Sequence, residues 1–191
     1  MEEVRARVNL ICSVGTGSLS VGRKEFDIEL VFVQFRMILE LIAFGSLIAN
    51  KAEYSAAYAN FATHWNAQRM LKDLEKVNPE FYPVALGPCK TKPDGVKHFP
   101  LCSEGFMTKE EFVVLYDKCG KILHARNPFN SGVPIISLHY STKEWVSRIQ
   151  KLLACHLIRL VNDDKWIIVI PDEGKIQACS ASPIETVQAE A

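Results

Sequence analysis

The sequence has no excess charge of either sign, since its 191 residues include 22 Lys and Arg against 22 Asp and Glu. A neutral chain has no overall field that attracts nucleic acid or a membrane, so any such contact requires a local patch. No signal peptide is recognisable, because Glu2 and Glu3 stand where a basic and then apolar segment is expected. We therefore predict a cytoplasmic protein whose six cysteines are reduced thiols.

Two site motifs are also missing. There is no Cys-x-x-Cys pair, which structural zinc sites usually contain, and the spacings of Cys89, His98 and Cys102 are irregular. Residues 15–22 have the glycine spacing of a phosphate-binding loop, but Arg23 follows where that motif requires Lys and then Ser or Thr. We predict no metal and no cofactor, and we interpret residues 15–22 as a linker.

The most apolar segment is DIELVFVQFRMILELIAFGSLIAN at residues 27–50. Its apolar residues cover nearly the whole circumference of a helix, which predicts a buried central helix. A membrane span needs about 20 consecutive apolar residues, and Glu29, Arg36 and Glu40 interrupt this one. These three residues form one polar stripe, which is either a solvated face or a buried polar centre that needs further partners.

Helices flank this segment in the predicted fold. In residues 52–77 the apolar side chains recur at helical spacing, and the stripe they form rotates near Trp65–Asn66, which predicts a kink or a break. Asn78-Pro79 ends that segment. The sequences TKEE at 108–111 and STKE at 141–144 are capping boxes, and each predicts the start of a helix. The second of these helices is predicted to end at about residue 156.

The fold class that follows is mainly α (α+β), a bundle of four to five helices with a small C-terminal antiparallel β-meander. After the last helix, the period at which apolar residues recur changes from about 3.6 to about 2 residues, which predicts that meander. The predicted divisions are a strand or arm with the linker (1–25), a helical domain (26–160) with a long proline-rich loop (79–107), the meander (157–182) and a tail (183–191).

The segment LYDKCGKILHARNPF combines residues that bind anions or transfer protons. Histidine can act as acid or base near neutral pH, and arginine can hold a phosphate. Tyr116, Gly120 and His124 recur at a spacing of four, which predicts that Tyr116 and His124 share a helix face. One interpretation is a helix C-terminus held by polar residues; the other is a site in which His124 faces Arg36 and Glu40 on the central helix. The candidate site residues are His124, Arg126, Asn127, Arg36, Glu40, Tyr116 and Lys121.

A central helix with Arg36 and Glu40 one turn apart, and a capped helix ending in His124 near Arg126 and Asn127, resembles the HEPN-like α-helical domains. The resemblance is carried by the segments FVQFRMILELIAFGSLIANK and LYDKCGKILHARNPF, and it extends from residue 26 to about 156. Within the superfamily, the chain is especially similar to uncharacterised bacterial proteins. Active members of that superfamily are metal-independent ribonucleases, usually dimeric, with an arginine four to six positions before the histidine. At the matching place this chain has Lys118, with Lys121 nearer to His124, and no arginine.

The resemblance implies a binding or regulatory protein of bacterial toxin–antitoxin or phage-defence type. Such a protein acts through protein or RNA contacts, as a homodimer and away from membranes. The alternative is a metal-independent ribonuclease in which His124 abstracts the 2′-hydroxyl proton while Arg126, Lys121 or Arg36 holds the phosphate. A nucleotide-dependent or metal-dependent enzyme is a third hypothesis.

Overall fold

The computed structural model describes residues 2–57, 66–124, 137–161, 164–171 and 174–181. Its helices are α1 (Glu2–Gly15), α2 (Lys24–Ala49), α3 (Lys51–Ala57), α4 (Ala67–Val77), α5 (Lys109–Leu123) and α6 (Thr142–Ala154). Its strands are β1 (Val84–Ala85), β2 (Lys90–Thr91), β3 (Lys97–His98), β4 (Cys155–Arg159), β5 (Lys165–Val169) and β6 (Gln177–Ala181). The predicted class is confirmed, although these ranges contain six helices rather than four or five.

Helix α2 is the centre of the fold, as its apolar circumference predicts. It packs against α1, α4 and α5, and Phe35, Ile38 and Leu39 are wholly buried. By length and composition α2 could cross a membrane, but core helices of soluble proteins meet the same criteria. The packing of its buried apolar residues against three other helices fits such a core helix, although Phe26, Ile28, Val33 and Ile48 are exposed.

The N-terminal segment is a helix, so the predicted strand or arm is wrong. Val4 and Val8 fit both a period of two and a period of 3.6, whereas Ile11 fits only the helical face; all three are buried in the common core. The Arg7 guanidinium adds a 2.8 Å hydrogen bond to the Gln34 side chain on α2. The glycine-rich linker joins α1 to α2, with Gly17 and Gly22 at positive φ.

Local signals place most of the other helix boundaries correctly. Asn66 is the N-cap of α4, its side chain accepting a 2.9 Å hydrogen bond from the Arg69 amide, so α4 begins directly after the predicted break near Trp65–Asn66. Residues 58–65, before that cap, lie outside the described residues. Asn78 ends α4, and both predicted capping boxes are present at the starts of α5 and α6. Helix α6 ends at Ala154, slightly before the predicted end, because β4 begins at Cys155.

The antiparallel β-meander is confirmed as β4-β5-β6, and it has a fourth strand that was predicted as loop. The order is β1-β4-β5-β6, with Val84 opposite Leu157 and Ala85 opposite His156. Strand β1 lies inside the proline-rich segment 79–107, and its two residues carry no readable period of their own. Pairing with β4 supplies the hydrogen bonds that make this segment a strand. The tail at 183–191 lies outside the described residues.

Candidate functional site

Arg36, Glu40 and Tyr116 form a closed polar cluster between α2 and α5. Arg36 Nε donates to Glu40 Oε1 at 3.1 Å, and Arg36 Nη2 donates to the Tyr116 hydroxyl oxygen at 3.1 Å. That hydroxyl donates to Glu40 Oε1 at 3.4 Å, and the Arg36 guanidinium lies 4.9 Å from the centre of the Tyr116 ring. Each of the three side chains therefore contacts the other two.

The cluster lies at the boundary between core and solvent. The side chains of Arg36 and Glu40 are 34% and 18% exposed, which is neither the solvated face nor the fully buried centre that the sequence allowed. Glu29, the third member of the stripe, is exposed. Tyr116 is the further partner that a half-buried ion pair needs, and it comes from a helix far along the chain.

Burial changes the acidity of the groups beside the ion pair. Desolvation raises the pKa of the Tyr116 hydroxyl, although the backbone amide of Ala67 and the Arg36 charge act in the opposite direction. Desolvation also raises the pKa of the neighbouring Cys119 thiol to about 12. Both groups therefore stay protonated at neutral pH, and Cys119 is unsuited to act as a nucleophile or a metal ligand.

His124 and Lys121 lie outside this cluster. His124 is the C-cap of α5, its backbone is extended, and its side chain is exposed. The prediction that Tyr116 and His124 share a face is wrong. Eight residues at about 100° each leave the two side chains about 80° apart on a helix, and His124 also departs from helical geometry. Lys121 is exposed, one turn before His124 on the outer side of α5.

The remaining predicted residues form no common site among the described residues. Arg126 and Asn127 lie outside these ranges. Cys89 and His98 are exposed, whereas the Cys102 thiol donates to the Glu104 carbonyl oxygen at 3.4 Å. In the described part of the chain, no group of three His, Cys, Asp or Glu residues is arranged to hold a metal ion.

A second polar cluster, which no pattern in the sequence predicts, joins α5 to α6. Arg148 Nη2 donates to both Glu111 carboxylate oxygens, at 2.6 and 2.8 Å, and Tyr140 donates to the same carboxylate at 2.9 Å. The Arg148 guanidinium also lies 4.5 Å from the centre of the Tyr140 ring. Glu111 was predicted only as part of a capping box; no local pattern signals its partners.

An exposed basic hairpin projects from the proline-rich segment. Residues 88–98 are all exposed, Lys90 lies opposite His98, and Thr91 lies opposite Lys97. The backbone amide of Lys92 donates to the Val96 carbonyl oxygen at 2.9 Å, which closes the turn. Side chains alternate along a strand, so Lys90 and Lys92 lie on one face of the hairpin and Lys97 on the other.

Substitution of Arg36 by alanine should lower the free energy of unfolding by about 1.5 kcal/mol, because it removes an ion pair and a cation–π contact that are both half-buried. Urea denaturation measures the change. Arg69→Ala is the matched control: Arg69 also pairs with a carboxylate one turn away, at 3.8 Å, but is 71% exposed, so we expect a change within about 0.5 kcal/mol. Equal losses in the two variants would show that the Tyr116 cluster adds nothing.

In three comparisons with known proteins, no family model, no curated protein and no solved structure matches this chain. The resemblance to HEPN-like domains therefore stays a prediction, carried by the residues that suggested it. A function for the chain has to be inferred from its own geometry.

Proposed function

We propose that this chain is a binding or regulatory protein of HEPN-like type that contacts RNA without cleaving it. The observation that carries the proposal is the closed cluster of Arg36, Glu40 and Tyr116. A catalytic arginine has to present its N–H groups to a phosphate, whereas Arg36 directs Nε and Nη2 to groups within the protein. His124, the candidate base, is exposed at the end of α5 and has no side-chain hydrogen bond to a described residue that would orient it.

The hairpin at residues 88–98 supports RNA as the partner. It carries Lys90, Lys92 and Lys97 against one acidic residue, Asp94, and all four are exposed. Asp94 accepts a 3.0 Å hydrogen bond from the Val96 amide, so part of its carboxylate is engaged in the turn. A basic surface on a neutral chain is the local patch that contact with a phosphate backbone requires. A homodimer in the bacterial cytoplasm, in a toxin–antitoxin or defence system, is the setting that the resemblance implies.

The ribonuclease hypothesis is the second candidate. Lys121 lies one turn before His124, and both side chains are exposed, so a base and a cation are available on the same end of α5. In that mechanism His124 takes the 2′-hydroxyl proton while Lys121 stabilises the phosphate charge. What it lacks among the described residues is a partner that fixes the imidazole in one orientation.

One experiment tests both hypotheses on the same samples. We expect the wild-type protein to bind fluorescently labelled single-stranded RNA, with an affinity that falls as salt is raised. In EDTA we expect it to cleave that RNA no faster than His124→Gln does. Replacing the three hairpin lysines by glutamine should weaken binding by about tenfold at low salt, since the variant removes the positive charge from both faces of the hairpin and with it the phosphate contacts of the face that binds. Fluorescence anisotropy measures binding, and gel electrophoresis measures cleavage.

The matched control removes the same charge from elsewhere. Three lysines that are exposed and have no ion pair with a described residue are replaced by glutamine, namely Lys24, Lys72 and Lys143. Equal weakening by both triple variants would show that only net charge matters, and absence of RNA binding by the wild type would exclude RNA as the partner. Cleavage by the wild type that His124→Gln abolishes, at an unchanged melting temperature, would establish the ribonuclease instead.

A further inference from the structure

A cleft of about 490 Å³ lies between α1, α6 and the end of β5, away from the polar cluster and the basic hairpin. This volume is within the usual range for small-molecule sites, about 300 to 1,000 Å³. The cleft is formed because α1 and α6 contact each other while the chain leaves β5 at Ile170 and Pro171. The cleft therefore depends on α1 being a helix packed into the core.

Apolar side chains line the inner part of the cleft. Val4 and Val8 on α1, and Ile149 and Leu153 on α6, contribute to its wall and are each at most 5% exposed. These residues belong to the core and are held by packing, so the wall is preformed. An apolar molecule bound there would lose water-exposed surface, which is favourable at about 25 cal/mol per Å².

The polar edge of the cleft carries positive charge. Arg5 and Lys151 are the charged residues that line it, so its described lining has two cations and no carboxylate. Arg5 Nη2 donates to the Pro171 carbonyl oxygen at 2.6 Å, which holds the guanidinium at the edge while its remaining N–H groups have no acceptor among the described residues. Lys151 likewise has no carboxylate partner in the described ranges, although Arg148 on the same helix does.

We propose that this cleft binds a small amphipathic anion, with an alkyl or aromatic body against the apolar wall and one carboxylate or phosphate group between Arg5 and Lys151. Apolar lining with a few polar groups is the general composition of a ligand site. Because Arg5 and Lys151 have no carboxylate partner among the described residues, they favour a negative head group. This proposal is independent of the RNA contact, because it uses a different surface and different residues.

The test is isothermal titration calorimetry on the full chain with decanoate, decyl phosphate and decanol. We expect saturable binding of one molecule per chain for at least one anion, and binding at least about tenfold weaker for decanol, because the neutral head group loses the charge-assisted hydrogen bonds. The two anions distinguish a carboxylate ligand from a phosphate ligand. Absence of saturable binding by both, or equal binding of decanol, would overturn the proposal.

Variants locate the binding in the cleft. Arg5→Gln combined with Lys151→Gln should weaken anion binding by about tenfold or more. Ala154→Phe should block it by filling the space, since Ala154 is an exposed residue that lines the cleft. The control is Lys143→Gln, which removes an exposed lysine from the same helix outside the cleft. Circular dichroism and thermal melting verify that each variant is folded. Equal affinity in the double variant and the control would place the anion elsewhere and overturn the proposal.

Discussion

Glu111→Ala is expected to lower the free energy of unfolding by about 3 kcal/mol, the largest effect of any polar substitution considered for this chain. The carboxylate accepts hydrogen bonds from two Arg148 nitrogens, from Tyr140 and from the Thr108 backbone amide. Truncation leaves Arg148 without its counter-ion at a position where the side chain is 19% exposed, and it also removes half of a capping box. Urea denaturation followed by circular dichroism measures the change.

The acid sensitivity of the same variant provides a second measurement. Burial alone would raise the pKa of Glu111, but the hydrogen bonds from Thr108, Arg148 and Tyr140 outweigh it and lower the pKa below its ordinary value of 4.5. The unfolded chain therefore takes up this proton first as the pH falls. The stabilisation is complete above about pH 4.5 and is lost as the pH falls through the folded pKa. Glu111→Ala should show a shallower loss of stability in that range than the wild type.

Glu110→Ala is the matched control for both measurements. Glu110 is adjacent, also in the first turn of α5, and exposed. Its carboxylate interacts with its own backbone amide and with the Thr108 side chain at the exposed start of the helix, where the helix dipole also favours it, so we expect a loss of about 0.5 kcal/mol. A loss below 1 kcal/mol for Glu111→Ala, or one equal to the control, would show that the Arg148 contact is not a significant source of stability.

Asn78→Ala is expected to lower the free energy of unfolding by about 2.5 kcal/mol. Asn78 is 6% exposed, and its amide nitrogen donates to Asn50 Oδ1 at 2.8 Å and to the Arg159 carbonyl oxygen at 2.9 Å. Asn50 is wholly buried at the end of α2, so the pair links the ends of α2 and α4 to β4. Truncation leaves the Asn50 oxygen buried without that donor, and water cannot easily replace it.

The control for this substitution is Asn9→Ala. Asn9 lies on α1 with an exposed side chain, and alanine favours helix there, so we expect no loss. Thermal melting and urea denaturation should agree for both variants. A loss below about 1 kcal/mol for Asn78→Ala would indicate that the two buried amides find other partners.

Much of the fold follows from short-range patterns. The capping boxes at Thr108 and Ser141 place the starts of α5 and α6, because the groups that satisfy each helix end lie within four residues of one another. Helix α2 follows from its apolar circumference, and the end of α4 follows from proline at residue 79. Such features depend on local hydrogen bonds and on the period of the chain, which a sequence displays directly.

Contacts between distant segments decided the rest. In the segment VRARV, residues 4–8, apolar and basic residues alternate in a way that fits a strand as well as a helix. The packing of α1 against α2 and α6 makes it a helix. Tyr116 was predicted beside His124, but the rotation of α5 turns Tyr116 toward Arg36 and leaves His124 in solvent. The partner of Glu111 is 37 residues away and that of Asn78 is 28 residues away.

By itself, then, the sequence determined a mainly helical protein with a small antiparallel sheet, the positions of most helix ends, and a polar pair on its central helix. Only the tertiary structure decided that this pair is completed by Tyr116, that β1 joins the sheet, and that α1 and α6 form a cleft lined by Arg5 and Lys151. The physical reason is the distance along the chain between the residues that interact. Propensity, capping and periodicity act within a few residues, whereas the partner of a buried polar group can come from any segment that the fold brings near it.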